Sequence, residues 1–111
     1  MSNINSWPCF SQDEADAVSN VLLSNKVNYW TGQEGKKFES EFANWCNTKY
    51  SVALANGTVA LEIALKALGI GPGDEVIVTP RSFIASVSCV VNVGAKPVFA
   101  DVKEDYNIDE N

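Results

Sequence analysis

The sequence predicts an α/β protein, a mostly parallel sheet flanked by helices. Two observations carry this reading. From Tyr50 onward, three short apolar runs ("YSVALA", "VIV" with Thr79, and "KPVFADV") alternate with two longer segments of helical periodicity. The runs are continuously apolar rather than alternating, as expected of strands buried on both faces beneath crossover helices. Apolar residues make up 46% of the 111-residue chain and charged residues 20%, which suits one small globular domain rather than a disordered chain.

The elements follow in order. Residues 1–49 read as a helical N-terminal segment. Ser11 and Glu14 have the spacing of a capping box, and Ala15, Val18, Val21 and Leu22 form an apolar stripe reaching about Lys26. Gly32 and Gly35 interrupt the pattern as loop residues. A second helix from about Gly35 to Asn47 has Phe38, Phe42, Trp45 and Cys46 on one face. A buried strand at 50–55 runs through Asn56, Gly57 and Thr58 into a third helix that Gly69 closes. The "GIGPGDE" turn leads to the second strand. A helix from about Phe83 to Val93 ends at Gly94, and "KPVFADV" is the third strand. The closing "KEDYNIDEN" is polar and completes no element. Local connection rules pair the strand at 51–55 with that at 76–79.

The composition excludes several functions. Eight basic against fourteen acidic residues give a net charge of −6 and no basic stripe, so a nucleic-acid face is not expected. No apolar run approaches the length of a membrane span, and the N-terminus has no signal-peptide pattern. The chain has no histidine, which excludes histidine triads and zinc–histidine sites within it. Cys9, Cys46 and Cys89 match no metal spacing. They read as reduced thiols of a cytoplasmic protein, with Cys89 a small core residue.

The chemistry concentrates at strand ends. The first N–H groups of a helix lack partners in the chain, and the helix dipole adds partial positive charge. With Gly57 leaving the approach clear and Thr58 adding a hydroxyl, the Asn56–Thr58 turn suits a phosphate. In the alternative, Thr58 only caps the helix and Gly57 only makes the turn. The dinucleotide fingerprint and the P-loop are both absent. At the carboxyl end of the second strand, Phe83 either stacks on a planar ligand or enters the core, and Arg81 is either a ligand clamp or a surface cation.

The segment "NGTVALEIALKALGIGPGDEVIVTPRSFIASVSCVVNVGAKPVFADV" resembles the N-terminal part of the DegT/DnrJ/StrS-type aminotransferases, as does the upstream "WTGQEGKKFESEFANWCNTKYSVAL". The resemblance covers roughly residues 28 to 111. It implies pyridoxal-phosphate enzymes of aspartate-aminotransferase fold (fold type I), with residues 50–111 an incomplete part of the cofactor-binding large domain. Gly57 and Thr58 would hold the cofactor phosphate, and Phe83 would stack on the pyridine ring. The Thr31–Gly32 loop would lie near an active site at a homodimer interface; Asp101 takes no contact. The parent protein would move an amino group, from glutamate as donor, to a nucleotide-linked keto sugar in polysaccharide biosynthesis.

The Schiff-base lysine and the aspartate pairing the pyridine nitrogen would lie beyond these residues. No lysine here takes that role, no residue is assigned to catalysis, and the isolated chain is expected to be inactive. The family's dehydratase members, or a small non-catalytic phosphate- or nucleotide-binding module, are the alternatives. The resemblance also implies that the first strand and the next two lie near opposite edges of a seven-stranded sheet. Poor solubility of the isolated chain follows from the unpaired edges.

Overall fold

The computed structural model describes residues 7–109. Its elements, in order, are α1 (Gln12–Leu23), α2 (Glu34–Trp45), α3 (Gly57–Ala67), β1 (Glu75–Val78), α4 (Ala85–Asn92) and β2 (Lys96–Phe99). The chain divides into two compact units, residues 1–53 and 54–111.

In the first unit, Ser11 caps α1 as its spacing predicts. Its hydroxyl accepts from the Glu14 N–H, while its own N–H donates to the Glu14 carboxylate at 2.7 Å. Those bonds hold the Glu14 carboxyl below its ordinary range. The helix stops before the expected Lys26 because Ser24 turns its hydroxyl back onto the Val21 carbonyl and Asn25 enters the left-handed region at φ 58°. At the end of α2, Asn47 does the same at φ 51°, and the Thr48 N–H reaches the Ala43 carbonyl.

The strand expected at 50–55 does not form. The described sheet has two strands only, and neither includes these residues. Val52 and Leu54 are exposed, and the Ala53 N–H is held by the Glu39 carboxylate at 2.8 Å instead of by a ladder. An apolar run becomes a strand only when a neighbour accepts its hydrogen bonds. The pairing of 51–55 with 76–79 given by local rules is therefore also absent.

In the second unit, β1 and β2 pair in parallel, with Glu75 opposite Lys96 and Val78 opposite Phe99. The Lys96 ammonium lies 2.7 Å from the Glu75 carboxylate across that register. α4 connects the strands and packs on both, and α3 packs on α4. The core is Val78, Cys89, Val90 and Ala95, with Leu65, Ile70, Val76, Val87 and Val93 against it. Glu62 ties the two helices together, accepting from Lys66 and from Asn92, and its carboxyl is held below the ordinary range mainly by Lys66. Ile77, out of phase with Val76 and Val78, remains 65% exposed. A sheet with helices on one face leaves such a residue uncovered.

Both helices of this unit end in the same motif. After α3, the Gly69 and Ile70 N–H groups bond the Lys66 and Leu65 carbonyls; after α4, Gly94 and Ala95 bond Val91 and Val90. Gly94 has φ +83°, and a Cβ there would stand 3.0 Å from Pro72 Cγ. Gly94→Ala is therefore expected to destabilise this unit by about 1–3 kcal/mol, read as a lower thermal midpoint. An unchanged midpoint would contradict the tight approach.

The last residues depart from the sequence reading. Val102 and Ile108 form an antiparallel bridge, closed by bonds between Lys103 and Asn107 and between Tyr106 and Lys103. Glu104, Asp105 and Tyr106 are thus the loop of a small hairpin closed by Lys103 and Asn107.

Candidate functional site

The cap of α3 is Asn56, not Thr58. Its side-chain oxygen accepts from the Val59 N–H at 3.0 Å, and its carbonyl accepts from Ala60. Asn is among the best N-cap residues, because its short amide reaches the third helical N–H without strain. That assignment relieves the next two residues of structural duty. Gly57 is the first helical residue and has no left-handed φ. A Cβ added there would meet nothing within 4 Å, so no local packing demands glycine. Among the described residues, the Gly57 and Thr58 N–H groups and the Thr58 hydroxyl have no acceptor or donor partner. Three hydrogen-bond donors therefore lie at the positive end of an 11-residue helix, with open space where a Gly57 side chain would stand.

Phe83 is not in the core. It lies between β1 and α4 rather than within the expected helix, and it is 73% exposed. Together with Gly57, Thr58, Ala60, Leu61, Ala85 and Ser86 it lines an open groove of about 620 Å³. The three residues singled out from the sequence thus share one groove, although 24 positions separate Thr58 from the ring beyond it. The packing of α3 on α4 brings them together. Ser86, which the sequence reading missed, lines the same groove and shares a hydrogen bond with Ser82 at 2.7 Å. Its position one helical turn beyond Ser82 is the signal that could have found it.

Other candidates lie elsewhere. Arg81 turns away from a clamp role: its guanidinium stacks on Tyr106, 4.1 Å from the ring centroid. Thr31 and Gly32 belong to the first unit, where Gly32 is held by backbone. Its N–H bonds the Asn28 carbonyl at 2.7 Å, and a Cβ would stand 2.5 Å from the Lys26 oxygen. Cys9 and Cys46 are exposed and Cys89 is buried, all as free thiols. Among the described residues, no acidic, cysteine or histidine group could hold a metal, and no helix is long and apolar enough to cross a membrane.

A parallel strand–helix–strand unit with a donor-rich helix N-terminus and an exposed ring on one groove is the framework of an α/β ligand-binding domain. The family model for the DegT/DnrJ/EryC1/StrS aminotransferases matches residues 8–111, and the chain belongs to that family. It is 42% identical over 105 residues to the spore coat polysaccharide biosynthesis protein SpsC of Bacillus subtilis, covering 94% of this chain and 26% of SpsC. The aminotransferase from Psychrobacter cryohalolentis is 68% identical with a TM-score of 0.87, over 90% of this chain and 25% of that one. The PLP-form of Spr1654 from Streptococcus pneumoniae is 35% identical with a TM-score of 0.79, over 92% of this chain and 26% of that one. The chain therefore spans about a quarter of the length of these relatives.

Proposed function

We propose that these residues are the N-terminal part of a pyridoxal-phosphate aminotransferase acting on a nucleotide-linked keto sugar, with glutamate as amino donor. The observation that carries this reading is the release of Gly57 and Thr58 from capping, beside an exposed Phe83 on the same groove. Two N–H groups and a hydroxyl suit a phosphate dianion. The Phe83 ring, two residues from Ala85 in the groove lining, suits the face of a pyridine. Family membership and the PLP-form relative support the choice of cofactor. When bound, pyridoxal phosphate supplies the electron sink for moving the amino group. The residues of this chain bind and orient it: Gly57 and Thr58 by the phosphate, Phe83 by the ring. No residue here is assigned to the chemical step, and residues 50–111 are read as part of the cofactor-binding domain, following in sequence a helical segment at 1–49.

Homodimer formation and a cytoplasmic location belong to the same proposal. Trp30, 87% exposed beside Thr31, supports an interface at that loop, and the free thiols support a reducing compartment.

The test uses the natural gene product containing these residues, incubated with heavy-nitrogen glutamate and a nucleotide-linked keto sugar. The label is expected in the sugar. A sugar that loses a hydroxyl and gains no nitrogen would replace the reading with a dehydratase. An unchanged sugar across a panel of such substrates would overturn it.

A further inference from the structure

The Thr79–Phe83 turn carries Phe83 into the groove, and a ring from distant sequence holds it. Tyr106 lies against the Arg81 guanidinium at 4.1 Å from ring centroid to Cζ. Among the described residues the ion pairs are Lys37–Glu34, Lys66–Glu62 and Lys96–Glu75, and none of them includes Arg81. Its backbone N–H donates to the Thr79 hydroxyl at 3.2 Å, so one residue bonds the turn through its backbone and the Tyr106 ring through its guanidinium.

The backbone of Tyr106 is unusual in a telling way. It has φ +67°; the other non-glycine residues in that region are Asn25 and Asn47. The Tyr106 N–H bonds the Lys103 carbonyl, and the Lys103 N–H bonds the Asn107 carbonyl. This is a three-residue hairpin loop whose last residue adopts the left-handed bulge conformation, the position that glycine usually fills. A tyrosine there is sterically disfavoured, and asparagine, which tolerates the region, follows one residue later. Strain of this kind persists where the side chain has something to do. Here the bulge lays the ring on Arg81.

We propose that Tyr106 is a positioning residue for the groove: it clamps Arg81 and so fixes the turn that presents Phe83 to the cofactor ring. The inference rests on the proposed cofactor role of Phe83 and adds a device that sets its aim.

Five variants of the natural gene product test it: Tyr106→Gly, Tyr106→Phe, Arg81→Ala, Phe83→Ala and the double variant Tyr106→Gly/Arg81→Ala. The readouts are the thermal midpoint, the affinity for pyridoxal phosphate and the visible circular dichroism of the bound cofactor. Glycine is the residue the bulge prefers, so Tyr106→Gly should leave the midpoint unchanged or raise it. It should weaken cofactor affinity about two- to fivefold, the scale of an exposed cation–π contact, and diminish the dichroic band. Tyr106→Phe keeps the ring and should match wild type. Arg81→Ala should reproduce the Tyr106→Gly spectrum, with no further change in the double variant.

Tyr106→Gly with wild-type affinity and spectrum overturns the proposal, whatever the midpoint does. If midpoint and spectrum both fall, Arg81→Ala decides: the same spectral change at an unaltered midpoint supports the clamp, and an unaltered spectrum overturns it. Should the clamp fail while Phe83→Ala still weakens the cofactor, the cofactor reading survives alone. A wild-type protein that binds no pyridoxal phosphate, or a Phe83→Ala variant that binds it unchanged, overturns both.

Discussion

Gly57→Asp in the natural gene product is expected to weaken retention of pyridoxal phosphate at least about a hundredfold, roughly 3 kcal/mol, without unfolding the protein. The new Cβ meets no atom within 4 Å and the residue has an ordinary helical φ, so the fold accepts the side chain. Aspartate near a helix N-terminus is even favourable for the helix itself. The carboxylate then stands where the phosphate should sit, and like charges a few ångströms apart repel. The isosteric neutral variant Gly57→Asn separates bulk from charge and should lose less. Equilibrium dialysis against the cofactor reads the affinity and far-ultraviolet circular dichroism reads the fold. A Gly57→Asp protein with wild-type affinity would place the phosphate elsewhere.

Val90→Asp is expected to unfold the unit from residue 54 onward. Val90 is 1% exposed and sits among Val78, Cys89 and Ala95, with Leu65 packed alongside. Among the described residues no buried polar or charged side chain is present to compensate a carboxylate in that core. The cost is several kcal/mol, comparable to the whole stability of a small unit. The Ala95 N–H bond to the Val90 carbonyl ties the same residue to the α4 terminus, so the Schellman turn into β2 should loosen with it. Amide exchange would show protection lost across β1, α4 and β2. Val90→Ala, which deletes two methyl groups without adding charge, should cost only about 1–3 kcal/mol. Retained protection in Val90→Asp would mean that this core does not hold the unit together.

Much of this was legible in the sequence because the deciding interactions are local. The Ser11–Glu14 capping box, the glycines closing α3 and α4, and the apolar continuity of β1 all act within a few residues. The strand expected at 50–55 failed for a non-local reason. "YSVALA" has the right composition, but composition does not supply a partner for its hydrogen bonds. The alternative in which Thr58 caps α3 fails because Asn56 outranks threonine as a cap and sits at the right offset from Val59. The exposure of Phe83 could not be read from its type, since phenylalanine is ordinarily buried. The tail was misread because its polar loop hid the flanking pair Val102 and Ile108, whose bridge makes the hairpin.

Gly57, Thr58 and Phe83 are proposed to form the cofactor-holding face of this chain. The measurement that tests it most directly is a crystal structure of the natural gene product soaked with pyridoxal phosphate. Phosphate oxygens are expected within hydrogen-bond distance of the Gly57 and Thr58 N–H groups, with the Phe83 ring on the pyridine face. A bound cofactor whose phosphate sits away from the α3 N-terminus, with Phe83 against protein instead, would contradict it.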